Sequence, residues 1–203
     1  MHTFSGIEIT RKKLCAPEPM DLAVQMGRVC RYGGAHWWTL TPHSLLVLRI
    51  LSDLQHGYDT ELMGFLHDGH EIITGDAPYD FKPDQMESDQ DKLDILIAKR
   101  YGINMELVNK NAIHWADGAA LVAEASVLRG NMDARAWPQA AGIPKEVLLK
   151  HASYVKILID SDWTKAEIVT DPASWTTSVV EASLLIAGNG HLSVAIDGLL
   201  RNM

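Results

Sequence analysis

Between Met105 and Leu128 the chain carries one long helical pattern, stopping near Gly130, and inside its run IHWADGAALVAEASVL the stretch WADGAAL sets an acid, Asp117, among largely apolar neighbours. This feature sets the tightest conditions on the fold. A long helix has to be accommodated, and its acid cannot be buried alone. An unpaired carboxylate in an apolar setting costs several kcal/mol, so Asp117 either lies at an exposed edge or is paired with a cation.

Helical signals dominate elsewhere too. Asp21–Arg31 reads as a helix ending in the turn CRYGGAHWW. Thr41-Pro42 looks like an N-cap followed by a proline at the first helical position, opening HSLLVLRILSDL with an apolar face. Gly57 and Asp59-Thr60 close that helix and cap the next, TELMGFLHDGHEII, which is expected to run unbroken to Gly75 and Pro78. Asp84–Arg100 has an acidic start, a basic end and a stop at Gly102, the order the helix dipole favours. Lys145–Ile159 forms a short helix. An irregular stretch at 160–174 and helical patterns at 176–187 and 191–203 follow. Only TFSGIEIT suggests a strand. The reading is an all-α fold: one domain over residues 1–150, with 151–203 as a helical C-terminal extension packed on it.

Composition bounds the role. A net charge of −8 over 203 residues argues against wrapping a nucleic-acid backbone. The longest apolar run, SLLVLRIL, is interrupted by Arg49 and too short to span a bilayer, and MHTFSGIEITRKKL lacks a signal-peptide core. Cys15 and Cys30, without a CxxC, fit a reducing compartment. A cytoplasmic protein with neither nucleic-acid nor membrane partners is expected.

The chemistry gathers in HDGHEIITGDAPYDFK, residues 67–82. On one continuous helix His67 and Glu71 share a face, one turn apart. Adjacent His67 and Asp68 offer a neutral nitrogen and an anionic oxygen to one metal ion. Two further ligands are needed from other helices, and His43 and Asp117 are the candidates. Taken singly, a histidine at a helix start is more often a cap, and His-Asp pairs occur by chance. The joint order, His43, then His67-Asp68, then Asp117, each on a different helix, is the stronger signal.

That order resembles the signature of the HD-domain phosphohydrolases, and more closely their small 5′-nucleotidase-like branch, which includes bacterial deoxynucleoside 5′-nucleotidases and phage dATP triphosphohydrolases. CRYGGAHWWTLTPHSLLV is similar to that branch's CRFGGH…YSVAEHS segment. HDGHEIITGDAPYDFK follows its HDxxExxxGDxPxPxK pattern without a gap, missing only at Asp80, and WADGAALVAEA follows ADxxALxxEA. With the opening TFSG, the likeness covers roughly residues 3–130.

The resemblance implies an HD-domain helical bundle with one divalent metal ion (Mn, Co, Mg or Zn) held by His43, His67, Asp68 and Asp117. It implies Glu71 and Asp76 as catalytic carboxylates and Arg31 and Lys82 as cations near the substrate's phosphates. It also implies a homo-oligomer acting on a small nucleotide. The activity expected is a 5′-nucleotidase on deoxynucleoside monophosphates. The alternatives are a dATP or dNTP triphosphohydrolase releasing tripolyphosphate, and a non-catalytic nucleotide-binding module. Glu124, seven residues after Asp117 and on nearly the same face, matches a recurrent acidic position and could brace Arg31.

Departures from the pattern bear on substrate preference. His114 stands where the branch often has Lys, and reads as a core-edge residue. His70 replaces a small residue and is expected on the exposed side, away from the ligands. His36 is displaced by one position and reads as a turn residue. Trp37, Trp38 and Trp115 lie near the proposed site, where an aromatic could stack on a base, although most tryptophans are core. Arg28 reads either as a phosphate contact or as part of a solvated face. HDGH is not HExxH, and GRVCRYGG lacks the GKS or GKT of a P-loop.

Overall fold

Asp21 is an acid with no exposed surface, and it organises the start of the fold. One carboxylate oxygen accepts the Ser5 amide at 2.7 Å and the other accepts the Ser5 hydroxyl and the Glu18 amide. The last of these bonds satisfies an orphan donor at the start of helix α1, Pro19–Met26. The computed structural model describes residues 1–159 except 4, 37, 78–80, 131–136 and 138–140. Before α1, the expected strand is only a pair of isolated bridges, His2 with Glu8 and Thr10 with Lys13, around a left-handed turn at Gly6.

Helix α1 ends at Met26 rather than at Arg31. The backbone beyond it pairs across the loop instead: Arg31 N–H donates to the Trp38 carbonyl at 2.8 Å, and Leu40 N–H to Val29 at 3.1 Å. In the loop that these pairings close, Tyr32, Gly33 and Gly34 all take positive φ.

Helix α2, Leu40–Asp53, starts before the proposed Thr41 cap, with Thr39 in the cap position. Pro42 is its third residue, where a missing N–H costs nothing because the first four have no intrahelical partner. Ten of its residues are buried, His43 among them. Each fully buried leucine here is worth about 1.5–3 kcal/mol against exposure.

Helix α3 spans Tyr58–Leu66. The expected unbroken helix through HDGHEII is not found. Gly69 N–H turns back to the Leu66 carbonyl at 2.8 Å, and a new short helix, α4, covers Glu71–Thr74. Gly69 permits the turn, since a Cβ there would sit 2.9 Å from the Leu66 carbonyl oxygen and 3.3 Å from Leu22 of α1.

Helix α5, Asp84–Arg100, has the predicted bounds and charge order, and Arg100 pairs with Glu18 at the head of α1. Helix α6 is Lys110–Leu128, beginning five residues after Met105 because the Asn109 side chain caps it, accepting Ala112 N–H at 3.1 Å. Its buried alanines, 116, 119, 120, 123 and 125, let neighbouring helices approach closely. Helix α7, Lys145–Leu158, buries Leu148, His151, Val155 and Leu158 at helical spacing, packs on α6 and α2, and ties to α2 through Lys150–Asp53 at 2.8 Å.

One principal cluster joins Leu22 of α1, the α2 leucines, Phe65 of α3, Ile97 of α5, the α6 alanines 116, 119, 120 and 123, and Val155 of α7. Among the described residues the regular elements are helices, with no strand, so the fold is all-α. Helix α7 runs across residue 150, and residues 160–203, with their expected helices, lie outside the described residues. No helix among the described residues is long and apolar enough to cross a membrane.

Candidate metal centre

Four segments converge at the predicted ligands. His43 comes from the first turn of α2, His67 caps the end of α3, Asp68 follows in the turn that Gly69 makes possible, and Asp117 projects from the middle of α6. His43 Nε2 lies 3.1 Å from Asp117 Oδ1 and 3.5 Å from Asp68 Oδ2. His67 Nε2 lies 3.2 Å from Asp68 Oδ1 and 3.8 Å from Asp117 Oδ1. The two imidazole centroids are 5.3 Å apart.

Each ring is held from behind. His67 Nδ1 donates to the Gly64 carbonyl at 2.7 Å and His43 Nδ1 to Glu124 Oε1 at 2.8 Å. Both carbonyl and carboxylate only accept, so the proton sits on Nδ1 and the lone pair of each neutral ring is on Nε2. Both Nε2 atoms are buried without a hydrogen-bond partner.

The carboxylates outweigh burial at both rings. Burial works against protonation of His67, but Asp68 and Asp117 outweigh it and push the imidazole up to about 9. His43 is raised as well: burial and Arg31 oppose its charge, Glu124 and Asp117 favour it. Burial would raise Asp68 and Asp117, yet the adjoining histidines hold both below the usual carboxylate range. A field that lifts two histidines would equally stabilise a divalent cation between them. His43, His67 and Asp117 could therefore hold a metal ion, with Asp68 beside them. Two nitrogens and two anionic oxygens suit borderline ions such as zinc, cobalt or manganese.

Arg31 and Glu124 complete the surround. Arg31 Nη1 meets Asp68 Oδ2 at 2.8 Å, and its Nε is 3.8 Å from Glu124 Oε2. Burial opposes the guanidinium charge, but Glu124, Asp68 and Asp117 more than compensate. Glu124, with no exposed surface, also accepts the Tyr32 hydroxyl at 2.9 Å. Burial would raise it, but His43 and then Arg31 keep it below its usual value.

Glu71 is buried, and its Oε2 has no partner. Burial, then Asp68 and Asp76, push its pKa up to about 8 against the pull of Arg31 and Lys82. Asp76 is half-buried and also raised, mainly by burial. Despite the break between α3 and α4, Glu71 stays beside Asp68, which forms with His70 and Glu71 a second group of clustered ligand atoms.

A cleft of about 770 Å³ opens at the cluster, with His67, Asp68 and Asp117 on its wall. Met63, Met105, Val108 and Ile113 make its apolar side. Four carboxylates of α5, Asp84, Glu87, Asp91 and Asp94, line the same cleft as Lys82 and Lys110. Arg31, Glu71 and Asp76 do not line this cleft.

Several sequence expectations change. His70 is not exposed: it is only 8% accessible, and its Nδ1 lies 2.7 Å from Asp94 Oδ1. The broken helix changes its register and turns it inward. His114 is exposed on the cleft wall rather than at a core edge. Trp38 is core, at 1% exposure, and Trp115 packs against the same cluster, so Trp38 presents no open face to a base. Trp37 lies outside the described residues. His36 sits in the turn, its ring edge-on to Tyr32, and Arg28 is exposed. The position of Glu124 behind His43, rather than only behind Arg31, went unseen; its spacing of seven from Asp117 was the available signal.

Comparison with protein-family models and with curated proteins finds no match for this chain.

Proposed function

We propose that this chain is a divalent-metal phosphohydrolase of the HD-domain type, releasing orthophosphate from deoxynucleoside 5′-monophosphates. The observation that carries the reading is the convergence of His43, His67, Asp68 and Asp117, with both Nε2 lone pairs turned inward, at the wall of a nucleotide-sized cleft. A divalent ion held there would supply charge to neutralise phosphoryl oxygens and a water of lowered pKa.

The chain's own groups supply the rest. Glu71 does not line the cleft but sits beside Asp68, which does. From there, protonated near neutral pH, it can give its proton to the leaving sugar oxygen as water's oxygen bonds to phosphorus and the phosphorus–oxygen ester bond breaks. Asp76 adds negative charge beside it and helps keep that proton in place. Lys82, half-buried on the cleft wall, offers a point charge to a phosphoryl oxygen. Arg31 is already engaged by Asp68 and Glu124, so its first service is to the ligands.

The α5 wall supports one phosphate over three. Its four carboxylates outnumber the two lysines that face the same space, and a triphosphate would have to lie against them. The apolar side suits a base or sugar face. Purified protein given Mn²⁺, Co²⁺ or Mg²⁺ and a panel of dNMPs and dNTPs tests the reading. Orthophosphate should appear from the monophosphates, and Asp68→Ala should abolish it. Tripolyphosphate from a dNTP would replace the monophosphate reading with the triphosphohydrolase one. Metal bound without turnover of any nucleotide would leave only a binding module.

A further inference from the structure

Four side chains close a ring behind the metal centre. Glu124 Oε1 lies 2.8 Å from His43 Nδ1, and Glu124 Oε2 lies 3.8 Å from Arg31 Nε. Arg31 Nη1 reaches Asp68 Oδ2 at 2.8 Å, and that oxygen is 3.5 Å from His43 Nε2. The ring links α2, the loop before it, the turn after α3, and α6. Glu124 touches both a proposed ligand, His43, and Arg31, which braces another, and it has no exposed surface. It is not itself turned toward the ion: both its oxygens are taken up by His43, Tyr32 and Arg31.

We propose that Glu124 is a positioning residue for the metal centre, fixing His43 with its proton on Nδ1 and its lone pair on Nε2 while bracketing Arg31 against Asp68. A carboxylate can only accept here, so one tautomer and one ring orientation of His43 are selected. Such carboxylate–histidine pairs raise the basicity of the ligating nitrogen and are worth about 10–100-fold in metal affinity. Tyr32 works through Glu124 in turn. Its φ of +56° is uncommon for a residue with a side chain, and this backbone turns its hydroxyl onto Glu124 Oε2. The bond leaves Oε1 free for His43.

The inference rests on the metal-centre reading and is tested without turnover. The full chain is loaded with Co²⁺, its affinity measured by competition with a chelator, and its visible ligand-field spectrum recorded, with circular dichroism to confirm folding. Glu124→Ala should weaken Co²⁺ binding about 10–100-fold and shift the spectrum. Glu124→Gln should recover part of the loss, because its amide oxygen can still accept from His43 Nδ1. Tyr32→Phe should cost only a few-fold. If Glu124→Ala does not fold, Glu124→Gln decides alone: weaker binding with a changed spectrum supports the assignment. Folded Glu124 variants that bind Co²⁺ with unaltered affinity and spectrum overturn it, as does failure of the unsubstituted chain to bind Co²⁺. Normal binding with the predicted variant losses but no nucleotide hydrolysis would sink the proposed activity and leave the role of Glu124 standing.

Discussion

Gly64 of α3 packs against Leu51 and Val47 of α2, and replacing it tests the packing on which His67 depends. A Cβ at this position would lie 2.1 Å from Leu51 Cδ1, with Leu51 Cγ and Val47 Cγ1 both at 3.6 Å. In an open helix, Gly→Ala stabilises by roughly 0.5–1 kcal/mol. Here Leu51 has no exposed surface and nowhere simple to move, and such overpacking costs about 1–3 kcal/mol. The clash therefore wins, by about 1 kcal/mol. For a chain of this size that lowers the melting temperature by about 2–4 °C. Because the Gly64 carbonyl holds His67 Nδ1, Co²⁺ affinity should fall with it. Thermal denaturation followed by circular dichroism, with and without Co²⁺, measures both. In the Gly64→Ala, Leu51→Ala double variant the two losses should add to less than their sum, since the second change removes the atom that clashes. A higher melting temperature for Gly64→Ala, or strictly additive losses, would refute the close contact.

Four further outcomes follow from the charges. Glu71→Gln should cut turnover about 10²–10⁴-fold with a much smaller change in KM. In chelated protein, Glu71 has a folded pKa near 8 against an ordinary 4.5, so its stabilising contribution is full below about 4.5 and lost as pH rises through about 8. Chemical denaturation across that range should show the decline, flattened in Glu71→Gln. His151 behaves oppositely: burial, opposed by Asp53 and aided by Lys150 and Arg49, lowers its pKa from 6.5 to about 4. Its contribution is full above 6.5 and lost as pH falls through about 4, and His151→Gln should remove that slope. On the cleft wall, Glu87→Gln with Asp91→Asn should raise kcat/KM for dNTPs relative to dNMPs, read from parallel assays of the two substrate classes; an unchanged ratio would remove the electrostatic argument for a monophosphate.

Much of the fold was legible because its signals are local. The bounds of α5 follow from its acidic start and basic end. The errors arise where a tertiary contact competes with a local signal. Asn109 rather than Met105 starts α6, because Asn109 N–H also bonds the Thr60 hydroxyl and fixes the turn before it. Thr39 rather than Thr41 precedes α2, since the Val29–Leu40 and Arg31–Trp38 pairings set where the extended loop ends. The helix through HDGHEII breaks because Gly69 can pack against Leu22 and Ile97 where a larger residue could not. That break turns His70 inward toward Asp94, a partner 24 residues away that no local pattern announces. The four proposed ligands were readable as types and order. Their orientation was not, because it comes from a carbonyl at Gly64 and a carboxylate at Glu124, both ordinary helix positions until the helices are packed.

The central claim is that His43, His67, Asp68 and Asp117 together hold one divalent ion. Its most direct test is the metal content of the purified chain after loading with Co²⁺ and removal of free ion, beside His43→Ala and Asp117→Ala variants of confirmed fold. One tightly held ion per chain is expected, lost in both variants. A chain that retains no ion, or variants that retain it undiminished, would contradict it.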